Sequence, residues 1–361
     1  MVAKRLYFID AVRAFAILMM LQGHFIDTLL EPSYRVDNTT FKVWEYFRGI
    51  TAPTFFTISG LIFSYLLVLA KKKGNASKRM RKGVFRGLML IGIGYALRIP
   101  FFLWLTGEFG TYFMVVDVLQ CIGLSLILIV FIYRLTCKKT LVFSILMLVL
   151  GLVIFITEPL YRTLEIKNIP LFFSNYLSKA NGSIFTIIPW FGYICFGAFT
   201  STLFYRYLER RRFKLATITG FLIVGFGLVF MSSRLFMKLY YMLDLQLFYD
   251  VANYNYLFIR LGNVLIIFAL FYLVEQYIKQ PLILKIGQKT LSIYVIHFII
   301  IYGSFTGFGL YQIIGKTLSP WQAVFGAILF LTTVCFISFY YAKTNAFLYS
   351  NIRKLIDTIK S

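Results

Sequence analysis

Ten apolar stretches constrain the fold of this chain more than any other feature of its sequence. A transmembrane helix needs about 20 mostly apolar residues, and the stretches approach or exceed that length at 9–30, 46–70, 84–105, 112–135, 140–157, 183–205, 215–231, 254–275, 289–310 and 320–341. Apolar residue types make up 60% of the 361 residues and charged types only 14%, a balance typical of polytopic membrane proteins. The sequence therefore predicts an all-α bundle of about ten transmembrane helices, forming one integral-membrane domain over residues 1–361.

Basic residues gather between these stretches and give the chain a net charge of +23. Cytoplasmic loops of membrane proteins are rich in Lys and Arg, and most basic residues here fall in cytoplasmic segments if the N-terminus is cytoplasmic. The pattern predicts both termini in the cytoplasm and a multi-pass protein of the cell (plasma or inner) membrane. The most basic segment, 71–86, is expected mainly to contact anionic lipid headgroups, with a direct catalytic role as the alternative. Because the charge is not gathered on one face, no nucleic-acid partner is expected.

Arginines inside apolar segments indicate a buried polar site, because a charged side chain in the hydrocarbon region requires a partner or a wet cavity. Four of them lie within or at the edges of the predicted spans: Arg13, Arg48, Arg98 and Arg260. Asp10 and Asp117 are plausible counter-charges, and Asp10 is on the same helix face as Arg13. Arg48 and Arg98 lie near span ends, where snorkelling to the interface is the alternative to a binding role.

The sequence gives no sign of a metal or of a permanently bound cofactor. Its four cysteines lie within or beside apolar segments and have no metal-ligand spacing, so we interpret them as reduced structural residues. Its two histidines, His24 and His297, lie in separate apolar stretches.

Arg13 and His24 form the strongest candidate site. Eleven positions separate them, so on a helix they lie within about 20° of the same face and about 16 Å apart, close to the reach of an extended pantetheine arm. Arginine binds phosphate through a permanently charged planar fork, and a desolvated histidine stays neutral and can accept a proton. The pair thus suits an acyl-coenzyme A, with His24 acting as general base or as the nucleophile of an acyl-histidine route. Asp27, one turn further on, either orients the imidazole or is an interfacial acid.

The chain resembles the transmembrane acyltransferase superfamily, which includes acyltransferase family 3 and the heparan-α-glucosaminide N-acetyltransferase-like proteins. Its first helix, YFIDAVRAFAILMMLQGH, matches the arginine-X10-histidine pattern of that superfamily. TAPTFFTISGLIFSY (51–65) is similar to the second-helix Phe-Phe-x-x-Ser-Gly motif, and KIGQKTLSIYVIH (285–297) to a late-helix Ser-x-Tyr-x-x-His motif. VDVLQCIGLSLIL (116–128) and IIPWFGYICFGAF (187–199) look more like the glucosaminide-acetyltransferase branch.

This resemblance implies a membrane-embedded acyltransferase that takes an acyl group, usually acetyl, from cytoplasmic acyl-CoA and delivers it to a carbohydrate or glycolipid acceptor. It implies that His24 is the catalytic histidine and that Arg13 binds the donor, with acetyl-CoA as a co-substrate. Ala14 departs from the family pattern, in which glycine commonly follows the arginine, and leaves slightly less room for close approach. The acceptor, the choice between O- and N-acylation and the oligomeric state are left open.

Four further residues are weaker candidates for substrate or donor binding: Asp10, Ser59, Arg98 and His297. His297 is otherwise explained as a bundle histidine, hydrogen-bonded to a backbone carbonyl or to a tyrosine such as Tyr294. Ser59 with Gly60 is otherwise explained as a small-residue helix contact.

Two other functions fit a polytopic chain with buried arginines. A transporter or flippase for a glycan or lipid precursor would favour broken helices paired between the two halves of the chain. A lipid-linked glycan polymerase or ligase would favour a large outside loop rich in acceptor-binding residues. Neither needs a histidine at pantetheine distance from an arginine on one helix face.

Overall fold

The computed structural model describes residues 6–105, 107, 110–166 and 169–360, and over these residues the protein is helical without a named β-strand. Two short 3-10 helices, Pro32–Arg35 and Thr111–Met114, join a series of α-helices. The α-helices are α1 (Tyr7–Leu29), α2 (Thr39–Lys72), α3 (Ala76–Ala96), α4 (Phe101–Leu105), α5 (Val118–Leu135), α6 (Thr140–Ile156), α7 (Glu158–Tyr161), α8 (Leu171–Leu177), α9 (Ile187–Tyr207), α10 (Phe213–Leu243), α11 (Gln246–Asn253), α12 (Tyr256–Leu273), α13 (Pro281–Gln288), α14 (Thr290–Tyr302), α15 (Leu310–Ile314) and α16 (Pro320–Lys360).

The predicted all-α membrane bundle is confirmed. In the described residues, seven helices are long and apolar enough to cross a membrane: α1, α2, α5, α9, α10, α12 and the Pro320–Tyr341 part of α16. The pair α13 and α14, bent by 70°, makes an eighth candidate. Counting the apolar but shorter α6 and the partly basic α3 as spans gives the ten of the sequence prediction.

The third predicted span, 84–105, has the wrong boundaries. Helix α3 begins at Ala76 and ends at Ala96, so it includes much of the basic segment 71–86, which the sequence predicts as a connection between spans. Pro100 explains the early end, because proline lacks an N–H and disfavours helical geometry in the residue before it. Arg98 consequently lies in the connection after α3 instead of inside a span.

Side-chain contacts show that the helices alternate between two ends of the bundle. At one end, Glu275 accepts a hydrogen bond from the Phe8 backbone at 3.3 Å and lies 3.9 Å from Lys214. The connections at 73–75 and 136–139 meet where Lys71 donates to the Lys138 carbonyl at 2.7 Å. They share this end with 208–212 and 274–280, and we call it the basic end. At the opposite end, the backbone of Glu31 donates to Leu318 at 3.1 Å and ties α1 to the start of α16. We predict from charge that the basic end is cytoplasmic.

Glycines set the closest helix crossing, which fixes α2 beside the site. A Cβ at Gly60 would overlap the carbonyl oxygen of Ile194 in α9, and a Cβ at Gly197 would overlap that of Thr57 in α2. Small residues allow such close approach in membranes, where association depends on packing and not on the hydrophobic effect.

We expect Gly197→Ala to destabilise the protein by about 1–3 kcal/mol, because the new methyl group would overlap the backbone of α2, which cannot change rotamer as a side chain can. The measurement is the melting temperature of the detergent-solubilised protein. The matched control is Gly92→Ala, since a Cβ at Gly92 has no neighbour within 4 Å. Equal melting temperatures for the two variants would contradict this account of the crossing.

Candidate active site

His24 lies on α1 and is held by a tyrosine from α14. Its Nδ1 is 2.9 Å from the Tyr302 hydroxyl oxygen, and the two rings meet edge to face with centroids 6.1 Å apart. The tautomer decides which atom donates. When Nδ1 donates to the Tyr302 oxygen, Nε2 is the unprotonated nitrogen, which is the state that a general base requires.

His297 lies directly beside His24. It is completely buried, and the centroids of the two imidazole rings are 5.4 Å apart. Among the described residues, neither of its ring nitrogens makes a hydrogen bond of normal geometry, although the carbonyls of Ile293 and Tyr294 lie nearby. A buried polar group without a hydrogen-bond partner costs free energy of folding, so a protein that keeps such a group usually does so for a reason. The carbonyls of Ile293 and Tyr294 are the backbone partners that a bundle histidine would use, so this interpretation stays a prediction beside a role in substrate binding.

Asp27 does not orient the imidazole. Its Oδ1 lies 2.5 Å from Arg48 Nη1 and 3.2 Å from Arg35 Nη1, so two arginines hold this carboxylate. The Arg48 side chain packs over Gly23, next to His24 in the chain. Arg48 thus forms an ion pair at the edge of the site, and Tyr302 takes the orienting position that sequence reasoning considered for Asp27.

Arg13 faces a cavity of about 270 Å³ that opens between α1, α2, α3, α5 and α14. Its Nη2 donates to the Thr290 hydroxyl at 2.7 Å, and Asp10 lies 3.9 Å away. Thr290 and Ser59 also line the cavity, and Ser59 donates to the Phe55 carbonyl at 2.7 Å. Asp10 therefore lies beside Arg13 as a counter-charge, as its helix spacing predicts. Ser59 lines the cavity, whereas the neighbouring Gly60 forms the close helix crossing.

Two more arginines line the same cavity, and sequence reasoning missed both. Arg79 and Arg86 lie on α3, seven residues apart and therefore on one face of the helix. The Arg79 Nε is buried and has no hydrogen-bond partner among the described residues. The sequence predicts mainly lipid headgroup contacts for segment 71–86, whereas these two arginines line the cavity. The spacing of its arginines was the available signal, but it became informative only once that segment was known to be helical.

Arg98 is paired and does not simply snorkel to the interface. It forms an ion pair with Asp117 in which both side chains are largely buried, and its guanidinium lies 4.5 Å from the centre of the Tyr112 ring. Asp117 is the N-cap residue of α5, and its backbone N–H donates to the Gln120 side-chain oxygen at 3.3 Å. Arg98 is not among the described residues that line the Arg13 cavity.

The cavity and the histidines form one continuous array along α1 and α14. Tyr294 lines the cavity, its ring lies 4.9 Å from that of His297, and His297 contacts His24. Arg13 and His24 both reach α14, so they share the helix face that their spacing predicts. The rings of Tyr294 and His297 stand between the cavity and His24, which the sequence did not indicate.

A comparison with known families finds one match over most of these helices. The model described as heparan-alpha-glucosaminide N-acetyltransferase, catalytic, matches residues 5–243. The match includes Arg13, His24, Ser59 and the two cavity arginines of α3, whereas α14 lies beyond it. A search of curated proteins finds no match.

Proposed function

Because the chain belongs to the heparan-alpha-glucosaminide N-acetyltransferase catalytic family, we propose that it moves an acyl group, in the first instance acetyl, from acyl-CoA to a carbohydrate or lipid-linked glycan. The family and the apolar helices identify an integral membrane acetyltransferase in general terms. The donor, the acceptor and the residue roles are our proposal. The observation that supports it best is the arginine-lined cavity that leads through Tyr294 and His297 to His24.

In this proposal the donor enters from the basic end. The phosphate groups of coenzyme A are bound by Arg13, Arg79 and Arg86, whose charged forks suit phosphate oxygens. The pantetheine arm then follows α1 towards His24. The rings of Tyr294 and His297 must rotate to bring the thioester to His24. Donor binding is therefore coupled to the movement of these two rings.

His24 performs the proton transfer. Its unprotonated nitrogen accepts the proton of the acceptor hydroxyl or amine while the acceptor oxygen or nitrogen attacks the thioester carbonyl carbon. The carbon–sulfur bond breaks, coenzyme A leaves as the thiolate, and the proton passes to its sulfur. In the covalent route, the unprotonated His24 nitrogen first attacks the carbonyl carbon, the carbon–sulfur bond breaks, and coenzyme A leaves as the thiolate. The acceptor then takes the acyl group from the imidazole, and its proton passes to the thiolate sulfur.

The structural features typical of a transporter support that alternative less than the site supports acyl transfer. Paired broken helices in the two halves of the chain are typical of many transporters. Among the described residues, α13 and α14 form the one span candidate that is broken by a sharp bend. Its second half, α14, carries His297, whose ring lies beside that of His24.

The direct test is acceptor-dependent release of coenzyme A from radiolabelled acetyl-CoA by the purified protein in lipid nanodiscs. Amino sugars, neutral oligosaccharides and lipid-linked glycans serve as acceptors. We expect label to move to at least one acceptor class together with stoichiometric thiol release. Transport of a labelled glycan by proteoliposomes, with no thiol release for any acceptor, would contradict the proposal.

Tyr302→Phe is expected to lower kcat about tenfold and to leave donor affinity nearly unchanged. The variant removes the hydrogen bond that holds the His24 ring, which is worth about 1.4 kcal/mol. Tyr311→Phe on the exposed α15 is the matched control. A Tyr302→Phe enzyme with wild-type kcat would show that the ring orientation does not depend on this contact.

A further inference from the structure

A second, larger opening lies away from the histidines, between α6 and α9 on one side and α10 and α12 on the other. Its volume is about 680 Å³, within the range of about 300–1,000 Å³ typical of small-molecule sites. Helices α10 and α12 pack mainly on each other, and α9 packs mainly on α2 and α6. The groove therefore separates two helix layers that are both within the membrane.

The walls of the groove are apolar along most of its length. Leu152, Phe196, Val224 and Leu265 represent the four helices that form it. Polar side chains are concentrated at the basic end, where Tyr207, Arg210 and Arg212 line the mouth. An apolar channel with cations at one end matches a lipid, whose chain is apolar and whose phosphate is anionic.

The two mouth arginines are available for an anion. Both are exposed, and in the described part of the chain neither forms an ion pair with a carboxylate. The Arg210 guanidinium lies 4.7 Å from the centre of the Tyr207 ring, which places its charge at the groove mouth. Arginine forks bind phosphate through two parallel hydrogen bonds.

Helix α10 leaves room for a chain. Ala216, Gly220 and Val224 recur every four residues and line the groove from one face. A Cβ at Gly220 would meet no atom within 4 Å, so a larger side chain there would enter open space.

We propose that this groove binds one anionic phospholipid of the surrounding bilayer, with an acyl chain between α9 and α10 and the phosphate at Arg210 and Arg212. The site is independent of the acyl-transfer site and does not require that the protein be an enzyme. The lipid fills the gap between the two helix layers.

The test is lipid retention by the full-length protein. Wild type and variants are equilibrated in mild detergent with equal amounts of phosphatidylglycerol and phosphatidylcholine, passed through gel filtration, and analysed for bound lipid by mass spectrometry. Arg210→Gln/Arg212→Gln removes the anion site, and Arg211→Gln is its control, because Arg211 is exposed and does not line the groove. Gly220→Phe blocks the channel, and Gly92→Phe on α3, also facing open space but outside the groove lining, is its control.

We expect wild type to retain more phosphatidylglycerol than phosphatidylcholine. In the double arginine variant, the ratio of the two retained lipids should fall about fivefold for each arginine removed. Gly220→Phe should retain about one lipid fewer per protein chain, while both controls behave as wild type. Equal retention of the two lipids by wild type, or equal preference in the double variant and Arg211→Gln, would overturn the proposal. A wild-type dimer that Gly220→Phe converts to monomer would assign the groove to a second copy of this chain instead.

Discussion

Replacing His24 with alanine should lower acyl transfer by about 10²–10⁴-fold, the usual contribution of a general base. The expected loss is in kcat, because His24 contacts His297 and Tyr302 but does not line the cavity that we assign to the donor. The dissociation constant for coenzyme A, measured by calorimetry, should change less than threefold, well under 1 kcal/mol. Gln22→Ala is the matched control, since Gln22 lies on the same helix and accepts a hydrogen bond from the Trp44 indole instead of contacting His24, His297 or Tyr302.

The same variant separates the two chemical routes. Rapid quenching of wild type with labelled donor and no acceptor leaves an acylated α1 peptide only if His24 is the nucleophile. A labelled peptide that is absent from His24→Ala supports the covalent route, and absence of label in wild type supports general base catalysis. A His24→Ala enzyme with wild-type turnover would contradict both.

The second large effect is expected at the arginines of the donor cavity. Arg13→Ala, Arg79→Ala and Arg86→Ala should each weaken coenzyme A binding by about ten- to a hundredfold, because a hydrogen bond to a charged group is worth about 1.5–3 kcal/mol. Arg81→Ala should have little effect, since Arg81 is exposed on the same helix and does not line the cavity.

A truncated donor distinguishes phosphate binding from a structural role. Acetylpantetheine lacks the nucleotide phosphates, so the arginine variants should bind it as well as wild type does. An equal loss of affinity for acetylpantetheine and acetyl-CoA would mean that the arginines only maintain the cavity. Wild-type affinity of Arg79→Ala and Arg86→Ala for acetyl-CoA would limit the phosphate contacts to Arg13.

Features that lie along one helix were predictable from the sequence. The shared face of Arg13 and His24 follows from helical periodicity, and both residues do reach α14. Apolar runs located the spans, and the boundary errors are largest at α3, which begins at Ala76 and ends at Ala96, and at α10, which continues to Leu243 beyond the predicted end at 231.

Features that join distant helices were not predictable in the same way. Tyr302 contacts His24 across 278 positions of sequence, and no local spacing relates α1 to α14. Arg79 and Arg86 reach the cavity only because the basic segment is helical and packs with α5. Asp27 shows the opposite case. Its spacing from His24 on α1 suits a carboxylate that orients the imidazole, but Arg35 and Arg48 bind this carboxylate instead.

We propose above all that His24 carries out acyl transfer from a donor held by the cavity arginines. The most direct test is the single-turnover rate of acyl transfer at saturating acetyl-CoA, for wild type and His24→Ala in the same nanodiscs. We expect a rate at least a hundredfold lower in His24→Ala, with donor affinity preserved. Equal rates for the two proteins, with donor bound in both, would contradict it.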